Sequence, residues 1–202
     1  MPDLNYNNMR RYIFLIAAVL LFACNLLLPP ALAGKVVVND GFKTDRQFRS
    51  SYFNIYVESD VSMRTLLINL YVPPSITGIV KKSVVLSEES SLPSQLDMLY
   101  LAVAELMDIR LKNFKCDIKI CSDAARLSAV AKKLYGRHVR TGGFYVAEID
   151  TLYVDAQNVN INVLGHELSH AIQCEYFVVP PPEKIQEILS GYVEYQLRKY
   201  TK

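Results

Sequence analysis

His166-Glu167-Leu168-Ser169-His170 decides how this chain is read. On a helix, residues four apart lie one turn apart on one face, so the two imidazoles project side by side. Two neutral imidazoles can bind Zn²⁺ and leave coordination positions open for a third ligand and a water. Glu167 lies about 100° round the helix from His166, where its carboxylate reaches that water without binding the metal. The preceding Asn160-Ile161-Asn162-Val163-Leu164-Gly165 starts the helix, and Ile161, Leu164, Leu168, Ala171 and Ile172 share one face by the i, i+3, i+4 rule. That face is the predicted core side, and His166 and His170 point away from it.

Pro180-Pro181-Pro182 ends the first helix, since proline lacks a backbone donor and disfavours helical geometry in the residue before it. Pro182 suits the first turn of a second helix, whose expected apolar side is Ile185, Ile188, Leu189, Tyr192, Val193 and Tyr200. Glu183, Glu187, Ser190, Gly191 and Glu194 occupy the other side. There the small Ser190 and Gly191 would admit a neighbouring helix backbone.

Together, His166-Glu167-Leu168-Ser169-His170 and Glu187-Ile188-Leu189-Ser190-Gly191-Tyr192 resemble the gluzincin metallopeptidases, in which H-E-x-x-H is followed by a helix with an E-x-x-[AS]-x-Y pattern. The resemblance implies Zn²⁺ held by His166, His170 and Glu187, with Glu167 as the general base of peptide-bond hydrolysis. Glu187 follows His170 at the short end of the family's usual spacing, and Glu183 and Glu194 are the competing ligands. A solvated acidic helix face is the plain alternative.

Upstream, Gly142-Gly143-Phe144-Tyr145-Val146 and Thr151-Leu152-Tyr153-Val154 read as two strands of a hairpin. By resemblance, Gly143 to Val146 is the edge strand that pairs with an extended peptide substrate. Strand addition suits this task, because main-chain hydrogen bonds supply affinity and alternate side chains supply specificity. An ordinary hairpin closing a small sheet fits the same residues.

At the other end of the chain, Arg10-Arg11 precedes an uncharged apolar run from Tyr12 to Leu28, then Pro29-Pro30 and Ala31-Leu32-Ala33-Gly34. This is a secretory signal pattern over residues 1–33 with cleavage expected after Ala33, which implies export to a periplasmic or extracellular space. An uncleaved membrane anchor or lipidation at Cys24 is the minor alternative. Residues 34–202 suffice for one domain. The net charge of +2 offers no basic footprint for nucleic acid.

Removing the leader leaves Cys116, Cys121 and Cys174, an odd number that excludes a complete set of disulfides. Cys116 and Cys121 bracket an expected strand, which holds them too far apart to pair. Cys174 is expected to be a small buried hydrophobe, because a fourth protein ligand would displace the reactive water.

Elsewhere, Lys35-Val36-Val37-Val38 and the polar stretch to residue 50 read as a lead-in, Tyr52 to Val57 as a strand, and Asp60 or Ser62 as the cap of a helix through Leu70. Pro73-Pro74 breaks that pattern, and Val84-Val85-Leu86 is another short strand. Gln95 to Leu111 is a long helix with Leu96, Leu99, Tyr100, Val103, Leu106 and Met107 on its buried face, and Ser122 caps a helix that runs through Tyr135 to Gly136. His138 and Arg140, in a polar link, and Tyr145, Tyr153 and Tyr192 are candidates for touching substrate, with exposure or packing as the plain alternative.

The expected fold is α+β: a small mixed sheet with helices, zincin-like, whose active-site helix is followed by a second ligand-bearing helix. Two other readings of the same residues stand beside the peptidase. One is a zinc hydrolase acting on a different amide or ester; the other is a catalytically silent, zinc-stabilised binding module, for which Glu167 would have no use.

Overall fold

Alternation of buried and half-exposed residues over Phe53–Val57 makes this segment, β2, a strand with one face in the core. In the computed structural model, which describes residues 39–80 and 91–201, it belongs to a five-stranded mixed sheet of order β1-β2-β3-β5-β4. The strands are β1 (Arg46–Arg49), β2, β3 (Cys116–Cys121), β4 (Gly143–Val146) and β5 (Thr151–Asp155). β2, β3 and β5 run parallel, and the edges β1 and β4 are antiparallel to their neighbours. β3 and β5 are buried almost throughout, as expected of parallel strands covered on both faces.

Among the described residues, six α-helices accompany the sheet: α1 (Met63–Asn69), α2 (Pro74–Thr77), α3 (Leu92–Met107), α4 (Ala124–Tyr135), α5 (Ile161–Tyr176) and α6 (Glu183–Tyr200). The larger core joins α1, α2, α3 and α5 to Ile118, Ile120, Leu152 and Val154. α4 packs through Leu127 and Val130 with Cys121 and Tyr153, so alternate residues of β5 serve opposite layers. The described residues all belong to one compact unit, Val37–Lys202. The expected leader, the lead-in at 35–38 and the strand at 84–86 lie outside the described residues.

Several expectations shift. β1 stands where a lead-in is expected: it is a charged edge strand whose Arg46 reaches the carbonyls of Glu58 and Val61, so no apolar alternation marks it in sequence. Pro74 opens the short α2, where its missing donor costs nothing. α3 begins at Leu92, capped by Ser91, and ends at Met107 with Asp108 left-handed, so Leu111 lies beyond it. Asp123 caps α4 by accepting from the Arg126 amide at 2.8 Å; Ser122 does not, its amide donating to the buried Glu58 carboxylate and its Oγ making no hydrogen bond. Ser62 caps α1, and left-handed Gly136 stops α4, as expected.

The largest difference is on α6. Its buried residues are Ser190, Val193 and Leu197, while Ile185, Ile188 and Tyr192 of the expected apolar side are exposed. The cause is the helix it meets. α5 presents Gly165, Ser169 and Gln173 there, and Leu197 lies against Gly165 so closely that a Cβ would come 2.2 Å from its Cδ1. Ser169 and Ser190 hydrogen-bond at 2.5 Å, and the Gln173 amide donates to Ser190. The close approach foreseen for Ser190 is therefore present, but its glycine is Gly165; Gly191 faces open space.

Candidate metal centre

Asn160 starts α5 by accepting from the amides of Asn162 and Val163 at 2.9 and 3.1 Å. Ile161, Leu164, Leu168, Ala171 and Ile172 are buried, which fixes the rotation of the helix. His166, Glu167 and His170 consequently face a cleft of about 600 Å³. The opposite wall comes from α6, whose rotation is set by the contacts of Ser190 and Leu197.

The nitrogens His166 Nε2 and His170 Nε2 are 3.3 Å apart. The Glu187 carboxylate stands 3.4 Å from each of them. His166, His170 and Glu187 thus bring three donor atoms within mutual reach of one ion. A tetrahedral centre with bonds of about 2.05 Å has edges of about 3.35 Å, close to the 3.3 Å between the two nitrogens and to the 3.4 Å from His166 to Glu187 Oε2 and from His170 to Glu187 Oε1. Three groups rich in lone pairs facing one another are also what a cation reconciles. The donor set, two imidazoles and a carboxylate, fits Zn²⁺.

Electrostatics support the same use. Burial holds the His170 ring below its usual pKa against the pull of Glu187, which keeps it neutral with a lone pair to give. Gln186 lines the same cleft, its side-chain amide donating to the Pro181 carbonyl at 2.7 Å. On the far side of His166, Glu194 Oε2 lies 3.4 Å from Nδ1, while the other Glu194 oxygen pairs with Arg198. Glu194, a competing ligand by sequence, therefore stands outside the triangle. Glu183 lines the cleft but is not in the group either.

Glu167 occupies the floor between the histidines and β4. Burial pushes its carboxyl up to about 8, with repulsion from Glu187 adding to this and the Tyr145 backbone N–H opposing it. A divalent cation in the triangle would act in the opposite direction to burial. β4 passes close by: a Cβ on Gly143 would meet the Tyr153 carbonyl oxygen at 3.0 Å and Glu167 Cγ at 3.4 Å. β4 and β5 form the expected hairpin, with Gly143 opposite Val154 and Val146 opposite Thr151. β4 is an edge of the sheet, so one row of its backbone groups is free of strand pairing.

The remaining candidates separate. Tyr145 lines the cleft, but its hydroxyl donates to Asp150 at 3.0 Å. Tyr153 is fully buried and donates to Asp40, which removes it from any contact with substrate. Tyr192 is exposed on the outer side of α6, contrary to the packing role expected of it. His138 and Arg140 are exposed, and His138 Nδ1 hydrogen-bonds Ser128 at 2.9 Å; neither lines the cleft. Cys116 and Cys121 are free and buried at the ends of β3. Cys174 is only partly buried, and it forms part of the cleft wall.

Gln186 and Thr141, which donates to the Gly143 carbonyl at 2.9 Å, escape sequence reasoning because polar residues without a motif carry no signal for a site. The chain matches no protein-family model, no curated protein and no solved structure.

Proposed function

We propose that this chain is an exported zinc-dependent peptidase of gluzincin type, with His166, His170 and Glu187 holding Zn²⁺ and Glu167 as general base. The observation that carries the reading is the group of two imidazole nitrogens 3.3 Å apart with a Glu187 oxygen 3.4 Å from each, and the partly buried Glu167 carboxylate beside it. The mixed sheet, whose antiparallel edge strand β4 lies beside the histidine helix, supports a zincin-like fold. The leader pattern of residues 1–33 supports export.

When bound, Zn²⁺ supplies a lowered pKa for water and polarisation of the scissile carbonyl. The chain's own groups do the rest. β4 borders the cleft as an edge strand, and an extended peptide laid along it, taking the place of the Thr141 hydroxyl at the Gly143 carbonyl, would align one bond with the floor of the cleft. Glu167 receives a proton from the attacking water and passes it to the leaving amine, a role for which a carboxyl poised above its ordinary pKa is suited. Burial keeps the His170 ring in its neutral, ligating form.

Metal analysis combined with peptide turnover tests this reading. Wild-type protein binds one equivalent of zinc, and His166→Ala or His170→Ala abolishes stoichiometric binding. Glu167→Gln keeps the metal and loses roughly 10² or more in turnover, the scale of general-base catalysis. Glu187→Gln loses metal on dialysis against a weak chelator, whereas Glu183→Gln keeps it. Full activity in Glu167→Gln, or full metal content in either histidine variant, would overturn the assignment.

A further inference from the structure

We propose that the outer face of α6 is a docking surface for an anionic lipid bilayer, with Ile185, Ile188, Tyr192 and Tyr195 entering the headgroup region between Lys184 and Lys199. These four apolar and aromatic side chains are 45–59% exposed. At about 100° per residue they lie, with both lysines, within about 60° of a line through Ile188. The three carboxylates of the helix, Glu183, Glu187 and Glu194, all fall about 100–140° to one side of that line. The outer face therefore carries cations and no carboxylate.

This distribution selects the occupant. An antiparallel pair of α6 helices from two copies of the chain, aligned on the stripe, sets Lys184 against Lys199, and a parallel pair sets each lysine against itself. The four side chains also offer only on the order of 500 Å², short of the roughly 800 Å² per partner of a stable protein interface. An anionic bilayer suits both features. Each lysine near its surface contributes about fivefold in affinity, and the buried apolar area adds to this. Tyrosine fits the boundary, its ring on the apolar side and its hydroxyl among the headgroups. Lys199 Nζ lies over the Tyr195 ring, 4.3 Å from its centroid, so cation and ring reach the boundary together. Val178 and Val179 are exposed in the connection just before the helix. Among the described residues no helix is long and apolar enough to cross a membrane, so the contact is with the surface. Glu187 lies about 100° round α6 from Ile188, which opens the cleft alongside the bilayer. Resting on the peptidase reading, the substrate is then a peptide held at a lipid surface.

The chain has no tryptophan, so one introduced at a chosen position reports on that position alone, whatever other part of the chain touches lipid. In full-length Tyr195→Trp, emission should shift to the blue and be quenched by brominated lipid in vesicles containing phosphatidylglycerol. Tyr135→Trp, exposed at the end of α4, should do neither. Added to Tyr195→Trp, the pair Lys184→Gln and Lys199→Gln should lower the ratio of quenched to unquenched emission about 25-fold. The pair Ile185→Gln and Ile188→Gln should lower it at least tenfold, with circular dichroism confirming that every variant folds. Both pairs should leave turnover of a soluble peptide unchanged and reduce turnover of the same peptide acylated onto anionic vesicles.

Unchanged emission of Tyr195→Trp on anionic vesicles would overturn the proposal, as would equal quenching of Tyr135→Trp, which marks adsorption without a preferred face. Equal quenching in pure phosphatidylcholine would remove the role of the lysines and overturn it too. A blue shift that grows with protein concentration in the absence of lipid would assign the stripe to a second copy of the chain. Failure to cleave either peptide would remove the peptidase reading and its substrate, while quenching of Tyr195→Trp would still establish the docking face.

Discussion

Replacing Gly165 with alanine adds one methyl at the place where α5 and α6 come close, and its effect depends on Leu197. Alone, the substitution gains about 1 kcal/mol in helix propensity. Against this, the new Cβ falls 2.2 Å from Leu197 Cδ1, and Leu197 is fully buried. Repacking such a side chain costs about 1–3 kcal/mol, so Gly165→Ala should lose about 1 kcal/mol net. Leu197→Ala alone should cost about 3 kcal/mol for transfer and cavity together. In the double variant the clash is gone, the propensity gain remains and the methyl refills part of the void for about 0.8 kcal/mol. The double variant should therefore lose only about 1 kcal/mol where additivity requires about 4. The coupling, about 2–3 kcal/mol, lies at the upper end of what neighbouring residues show. Urea unfolding of the four proteins in the presence of a chelator measures it without a contribution from bound metal. Additivity within about 0.5 kcal/mol would refute the packing argument.

Gly143→Ala should keep its zinc but lose roughly tenfold in peptide turnover, because the added Cβ displaces β4 from the Tyr153 carbonyl and small misplacements at a reacting site are costly; unchanged turnover would separate β4 from substrate binding. Asp40 gives a pH dependence. Burial raises its pKa, but hydrogen bonds from Lys119, Tyr153 and the Phe42 amide outweigh burial and leave it below the ordinary 3.8. Its contribution to stability is therefore complete above about pH 4 and is lost as pH falls from there through the lower folded-state value. Asp40→Asn should flatten the acid limb of the unfolding free energy, and an acid limb identical to wild type would exclude this role. N-terminal sequencing of the exported form should find Gly34 first; retention of Met1, or a lipid-modified Cys24, would reject cleavage after Ala33.

Where sequence and structure agree, a periodic signal and a physical requirement coincide. Ile161, Leu164, Leu168, Ala171 and Ile172 repeat at helical spacing and are buried, so the opposite placement of His166 and His170 follows from geometry alone. The hairpin of β4 and β5 is legible for a similar reason. Periodicity misplaces the buried side of α6, because its sequence carries two apolar stripes and spacing does not say which one meets a neighbour. The choice belongs to α5, whose contact surface of Gly165, Ser169 and Gln173 is small and polar. β1 was missed because an edge strand needs no apolar alternation. The nearness of Glu194 to His166 is not legible in sequence, because it depends on how far α6 is rolled about its axis.

That roll has a mechanical consequence. Two corners of the donor triangle ride on one rigid rod and the third on another, so its dimensions can be no more accurate than the interface between the rods. A side-chain tip lies about 6 Å from its helix axis, so a roll of α6 by about 10° carries the Glu187 carboxylate about 1 Å. Functional sites tolerate about half that error. The hydrogen bond between Ser169 and Ser190 and the seating of Leu197 on Gly165 act as the dowel pins of the assembly. Buried polar atoms there set an angle, where a smooth apolar contact would leave α6 free to turn.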